Sequence, residues 1–269
     1  MLHFGINVSI LLREYAFLTR LEQAARLGFG TVECWWPHGE DLRALERRVA
    51  DTGLRVALLN FDAGDIAAGE RGLLNDPAGA ARFRAHVPAA LELAQRLGCP
   101  RMNALAGKWR DDTPRAEQLA RLREHYAWLA EQAAAADITV TIEPLNTWDN
   151  GPCVFSTSRD TLAFIDSVGA PNLQLQYDVY HMQRMEGNIA ATIAAHARRI
   201  GHIQVADSPG RNQPGTGELR FGYIFAAIAA SGYTGVIGAE YNPLGASEAS
   251  LAWLPPDRRG PIDPATIML

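Results

Sequence analysis

Three cysteines in 269 residues, Cys34, Cys99 and Cys153, are odd in number and far apart. They suggest neither a disulfide framework nor a thiolate zinc cluster, and they fit a reducing, cytoplasmic setting. A cationic excess is also lacking: 25 Lys and Arg stand against 30 Asp and Glu, a formal net charge of −5. A nucleic-acid partner is therefore not expected, although a few local cations can hold a small anion inside an acidic protein. No apolar stretch reaches bilayer length, so no membrane partner is expected. Met1–Leu12 is apolar but lacks a cationic leader and a small-residue cleavage site, and it reads as a first strand. Asn7-Val-Ser9 matches a glycosylation sequon, to which a strand in a cytoplasmic protein gives no use. There is no G-x-S-x-G elbow and no cysteine in a nucleophilic context. Neither Ala68–Gly72 nor Gly215–Glu218 spells a dinucleotide or phosphate-loop fingerprint, and both read as connections over a mouth.

What the chain does have is a repeating rhythm, a short β-branched run followed by an Ala/Leu/Arg-rich amphipathic stretch. Strands are predicted near His3–Ser9, Thr31–Trp35, Arg55–Asn60, Arg101–Leu105, Thr139–Glu143, Leu173–Tyr177, Ile200–Val205 and Gly235–Glu240. Helices are predicted near Tyr15–Leu27, Asp41–Thr52, Ala81–Leu97, Pro114–Ala136, Arg159–Val168, Ile189–Arg199, Tyr223–Ser231 and Ser247–Trp253. Alternating units imply a parallel sheet, and eight of them in a chain of this length point to a closed (β/α)8 TIM barrel. An open doubly wound sheet is the alternative, but it concentrates its ligand groups at one switch point. Residues 1–254 make the barrel domain on this reading, and 255–269, rich in Pro, Asp and Arg, an irregular tail that leaves a homo-oligomer open. The glycine-rich connection Phe61–Pro77, with Gly64, Asp65, Gly69, Glu70, Arg71 and Gly72, has the length of a functional loop.

The C-terminal ends of barrel strands line the catalytic mouth. Thr139-Val-Thr-Ile-Glu143 ends in a glutamate, Leu173–Asp178 in an aspartate and Gly235–Glu240 in a glutamate, while the run from Ile200 carries His202 and Gln204. A single glutamate after a strand is ordinarily a solvated loop start; polar groups on four consecutive strands point to one shared site. Three carboxylates there repel each other unless a cation or proton lies between them. An oxygen-rich set favours Mg2+ or Mn2+, while His181 and His202 keep a zinc- or cobalt-like site open. Glu33 is either a further member of the mouth or a rim ion pair. Asn103 and Lys108 follow the fourth strand, where they could orient or neutralise an anionic substrate, and Trp35, Trp36, Trp109 and Trp148 could wall a small pocket.

Four segments, Ala63-Gly-Asp-Ile-Ala-Ala-Gly-Glu-Arg-Gly72, Ile142-Glu-Pro-Leu-Asn146, Gln176-Tyr-Asp-Val-Tyr-His-Met-Gln-Arg-Met-Glu-Gly187 and Pro214-Gly-Thr-Gly-Glu218, closely resemble the hydroxypyruvate isomerases. That family includes the 2-oxo-tetronate isomerases and belongs to the xylose-isomerase-like barrels; the resemblance runs from about Phe4 to Trp253. It implies one divalent metal on Glu143, Asp178, Gln204 and Glu240, with Glu143 and Glu240 also serving as catalytic acid and base. Substrate contacts are implied at His181, Asp149 and Arg211, with Lys108, Asn103 and Glu70 as further candidates. The implied reaction is an aldose–ketose type isomerisation of hydroxypyruvate to tartronate semialdehyde, or of a close 2-oxo acid such as 2-oxo-tetronate, through a metal-stabilised enediolate. The loop Ala63–Gly72 could close over it and exclude water. The more distant ketose 3-epimerases usually carry a histidine where Gln204 stands, so a ketose epimerase is the alternative. A barrel-type DNA repair endonuclease is a third, which the acidic charge and sparse histidines oppose.

Overall fold

The computed structural model describes residues 1–260 and 262. Its elements run β1 (His3–Asn7), α1 (Phe17–Arg26), β2 (Thr31–Cys34), α2 (Leu42–Thr52), β3 (Arg55–Asn60), α3 (Pro77–Arg96), β4 (Arg101–Asn103) and α4 (Arg115–Ala134). They continue β5 (Thr139–Ile142), α5 (Thr147–Asn150), α6 (Ser158–Val168), β6 (Leu173–Asp178), α7 (Val179–Met185), α8 (Ile189–His196), β7 (Ile200–Val205), α9 (Phe221–Ala230), β8 (Val236–Ala239) and α10 (Ser247–Ser250). All neighbouring strands pair in parallel, and β8 returns to β1 through the register His3↔Val236 to Ile6↔Ala239, which closes the barrel. The expected eight-stranded fold is therefore present, with most predicted element ends within about two residues.

Local chemistry explains where the helices begin. Asp41 accepts from the backbone N–H groups of Arg43 and Ala44 at the start of α2, and Gly53, at φ 68°, ends that helix. Asp76 caps α3 through Gly79 N–H, with Pro77 just inside, where its missing donor costs nothing. The predicted start at Ala81 came four residues late because Pro77 and Gly79 look like loop residues. Two short helices were not expected. Asn146 caps α5 through Asp149 N–H, and Asp178 caps α7 through Tyr180 N–H. α7 follows β6 directly and α5 follows β5 after Glu143–Asn146, and both carry polar side chains at the mouth end of the barrel.

The core lies between strands and helices, where Leu21, Leu45, Phe83, Leu122, Leu129, Phe225 and Ile228 are buried against Ile6, Leu59, Val140 and Ile203. At the base, Leu2 bridges Ile262, and the buried Arg259 donates to the carbonyls of Leu254 and Leu27. The early part of the expected tail thus closes the floor of the barrel, while 261 and 263–269 lie outside the described residues. None of the described helices is long and apolar enough to cross a membrane.

Candidate active site

Each strand delivers a polar side chain at or just past its C-terminal end: Asn7, Glu33, Asn60, Asn103, Glu143, Asp178, Gln204 and Glu240, all buried. Above them lies a cavity of about 130 Å³ walled by Trp35, Trp36, Arg71, Leu105, Leu145, Asn150 and His181, with Glu143, Arg211 and Glu240 at its polar end. That is below the roughly 300 Å³ at which pockets for drug-sized ligands begin, so the space suits a small substrate.

A second polar layer sits under the cavity. Glu33 Oε1 accepts from Asn7 Nδ2 at 3.0 Å and from Gln204 Nε2 at 2.7 Å, and its Oε2 meets His202 Nε2 at 2.5 Å. Glu33 is thus an inner member of the mouth, not a rim ion pair. His202, read from sequence as metal-competent, is committed to Glu33, and its Nδ1 has no partner among the described residues. A bare lone pair is cheaper to bury there than an unpaired N–H, so the proton belongs on Nε2. The hydrogen-bond chain has one direction. Thr141 Oγ1 donates to Gln176 Oε1; Gln176 Nε2 donates to Gln204 Oε1 at 2.7 Å and Glu143 Oε2 at 3.1 Å; Gln204 Nε2 ends on Glu33. Gly238 makes room for this layer, because a Cβ on it would stand 2.1 Å from Glu33 Oε2.

In the upper layer, Glu143 accepts from Asn103 Nδ2 at 2.8 Å, and Glu240 accepts from Trp35 Nε1 at 2.8 Å and Asn7 Nδ2 at 2.9 Å. Arg211 places Nη2 2.8 Å from Glu240 and 3.6 Å from Asp178 Oδ2. Burial pushes all three carboxyls up. Glu143 is raised well above its ordinary range, by burial first and then by Glu240 and Asp178. Asp178 is raised by burial against the pull of Arg211. Glu240 is pushed up to about 7, by burial first and then by Asp178 and Glu33, with Arg211 opposing.

Ligand atoms of Glu143, Asp178 and His181 lie within 4.8 Å of one another and could hold a metal ion. The tautomer of His181 gives it a different part. Asn146 Oδ1 accepts from Asp149 N–H and its Nδ2 donates to Asp149 Oδ2, so the same amide presents N–H to His181 Nδ1 at 2.7 Å. With Nδ1 accepting, Nε2 carries the proton and points at Asp178 Oδ2, 3.5 Å away, and at Glu143 Oε1, 3.7 Å away. Burial, then Arg211 and Arg71, hold this imidazole well below its ordinary value and so neutral. His181 is thereby a hydrogen-bond donor at the cavity wall, which leaves the carboxylates of Glu143 and Asp178 as the oxygen donors of that group. Those carboxylates suit a hard divalent ion: Asp178 Oδ2 is buried without a hydrogen-bond partner among the described residues, and the clustered carboxyls need positive charge between them.

The other sequence candidates separate. Asn103 is inside, bonded to Glu143. Asp149 stands at the rim; burial raises its carboxyl, but hydrogen bonds from Tyr180 and Asn146 outweigh this and leave it lowered. Lys108 and Glu70 share an outer cleft with Gly69 and Trp109 and do not line the central cavity. Trp35 and Trp36 wall the cavity, whereas Trp148 is 74% exposed. Asn7, Gln176 and Arg71 have no assigned role in the sequence reading, although Gln176 and Arg71 both fall within family-like segments.

The family model described as "Xylose isomerase-like TIM barrel" matches residues 21–256. Hydroxypyruvate isomerase of Escherichia coli is 43% identical over 262 residues, covering 96% of this chain and 100% of that protein. The 2-oxo-tetronate isomerase of Cupriavidus necator is 41% identical over 253 residues, covering 94% and 97% respectively. A crystal structure of an AP endonuclease, family 2, from Brucella melitensis superposes with a TM-score of 0.91 at 34% identity, covering 96% of this chain and 100% of that one.

Proposed function

The chain belongs to the xylose isomerase-like TIM barrel family, whose hydroxypyruvate and 2-oxo-tetronate isomerases it resembles over nearly its full length, and from that premise we propose that it isomerises a short 2-oxo acid. Hydroxypyruvate and 2-oxo-tetronate are the substrates that fit best. The observation carrying this reading is the gathering of Glu143, Asp178 and Glu240 with neutral His181 around a cavity too small for a bulky ligand.

The reaction moves a proton from the hydroxyl-bearing carbon, a hydroxymethyl in hydroxypyruvate, to the adjacent carbonyl carbon, with an enediolate between the two transfers. Glu143 after β5 and Glu240 after β8 both line the cavity; burial raises both carboxyls, Glu240 to about 7, which suits proton exchange near neutral pH. One takes the proton and the other serves the neighbouring carbon. His181 Nε2–H donates to the substrate oxygen that gains negative charge. Arg211 offsets the charge of Glu240 and Asp178. Trp35 and Trp36 keep water from the intermediate. A divalent cation held by Glu143, Asp178, Gln204 and Glu240 would supply the Lewis acidity that lowers the cost of the enediolate charge.

The test is to follow hydroxypyruvate, 2-oxo-tetronate and a neutral ketose by proton NMR in deuterated water, with Mg2+ or Mn2+ and with chelator. Deuterium should enter the two carbons of the 2-oxo acids and stop entering when the metal is removed. Exchange confined to the ketose would make the chain a sugar epimerase instead. The likeness to the Brucella protein gives a second reading, action on abasic DNA. One histidine in the metal-competent group and a net charge of −5 weigh against it. Metal-dependent nicking of an abasic duplex would reinstate it.

A further inference from the structure

Two cationic side chains line the central cavity, Arg71 and Arg211, and only one has its charge answered. Arg211 is paired with Glu240 and Asp178. Arg71 has no carboxylate within 4.0 Å among the described residues; its tethers are neutral. Nε donates to Asn150 Oδ1 at 2.6 Å, and Nη1 donates to the carbonyls of Ile66 at 2.9 Å and Glu70 at 2.6 Å. Nη2 donates to no partner among the described residues, so both its protons are open to a ligand. Asn150 cannot swing away, because its own Nδ2 donates to Asn146 O at 3.0 Å. The loop beneath is tied as firmly. Gly72 N–H donates to Ala63 O at 2.8 Å and Glu70 N–H to Asp65 O at 2.9 Å. Gly72, at φ 108°, packs so closely that a Cβ would stand 2.1 Å from Leu105 O. The guanidinium is therefore held in place before any ligand arrives, and little of its freedom remains to be lost on binding.

We propose that Arg71 is the carboxylate anchor of this site and the residue that selects 2-oxo acids over neutral sugars. The proposal rests on the isomerase reading above. A positive charge on neutral tethers, at the wall shared by the central cavity and the outer cleft, is a receptor for an anion, and a guanidinium matches a carboxylate in shape as well as charge. Lys108, the cation expected from sequence, lies instead in the outer cleft beside Gly69.

The experiment compares hydroxypyruvate with dihydroxyacetone, which has the same skeleton with a hydroxymethyl in place of the carboxylate. Both are followed by solvent deuterium exchange with wild-type protein, Arg71→Gln and Arg71→Lys, each loaded with Mn2+ and checked for an unchanged melting midpoint. In Arg71→Gln the ratio of kcat/KM for hydroxypyruvate to that for dihydroxyacetone should fall about 100-fold, mainly through KM, as expected when one partner of a buried charge pair is removed. Arg71→Lys should recover part of it. An unchanged ratio, whether both substrates suffer equally or neither does, overturns the proposal. If wild-type protein turns over no 2-oxo acid, the isomerase reading fails, and the anchor is judged by calorimetry with D-glycerate. Binding lost in Arg71→Gln upholds the anchor; binding unaltered by the substitution, or absent from wild type, overturns it.

Discussion

Replacing Glu33 by glutamine keeps its shape, removes its charge and tests the polar floor of the site. Two donors, Asn7 Nδ2 and Gln204 Nε2, converge on Oε1, so the new amide must keep its oxygen there and turn its NH2 toward His202. His202 Nε2 must then accept, which moves the ring proton to Nδ1, a buried atom with no partner among the described residues. An unpaired buried N–H costs about 1–3 kcal/mol, and two bonds falling from charge-assisted to neutral lose about 1 kcal/mol each. Relief from burying a carboxylate offsets part of this, and the expected net loss is about 2–4 kcal/mol. Urea unfolding of the metal-free protein, followed by circular dichroism, measures it. Glu33→Ala, which strands three donors, should cost more, about 3–5 kcal/mol. A Glu33→Gln protein within about 0.5 kcal/mol of wild type, the range of ordinary surface changes, would refute the directional network and the tautomer assigned to His202.

Three further outcomes are expected. Glu240 holds its proton in the native state up to about 7 but releases it near 4.5 in the unfolded chain, so its contribution to stability is fully present below pH 4.5 and lost as pH rises through 7. Relative to Glu240→Gln, the metal-free wild type should thus lose about 3 kcal/mol of unfolding free energy between pH 4.5 and 8, read from urea midpoints at each pH; a gain instead would mean Glu240 is ionised throughout. Glu143→Gln and Glu240→Gln should each lower isomerase turnover by at least roughly 100-fold, measured by NMR with saturating Mn2+, and retained turnover in both would remove them as acid and base. Gly238→Ala should displace Glu33 and destabilise the fold by about 1–3 kcal/mol in thermal or urea melts, as overpacking does; an unaltered melt would mean the floor yields easily.

The barrel was legible because each strand is a short apolar run followed by an amphipathic helix, and both periodicities survive in one sequence. The acids of the mouth were legible for a related reason: Glu143, Asp178 and Glu240 interrupt or end apolar strands, where a charge stands out. Asn7 and Gln176 do not stand out, being uncharged amides whose partners sit on strands up to 233 residues away and meet only when the barrel closes. The helices α5 and α7, of four and seven residues, are too short for a periodic signal. Lys108 illustrates the opposite error. Its position after β4 suggested the mouth, but the bridge between Lys108 and Cys153 directs the side chain to the outer cleft, and no linear pattern encodes that pairing. Arg71 reached the cavity wall through the folding of an irregular loop, which lies equally beyond a reading by periodicity.

The clearance between Gly238 and Glu33 has a use in sorting related chains. A larger side chain on β8 and an acid at the end of β2 compete for the same few cubic ångströms, so an evolving sequence must alter both together or neither. Relatives bearing alanine or serine at the equivalent of 238 should therefore lack the acid, and with it the constraint that turns Gln204 one way round. In such chains the ligand on β7 is free to be a different residue, which offers a two-position sieve for dividing the family before any substrate is tried.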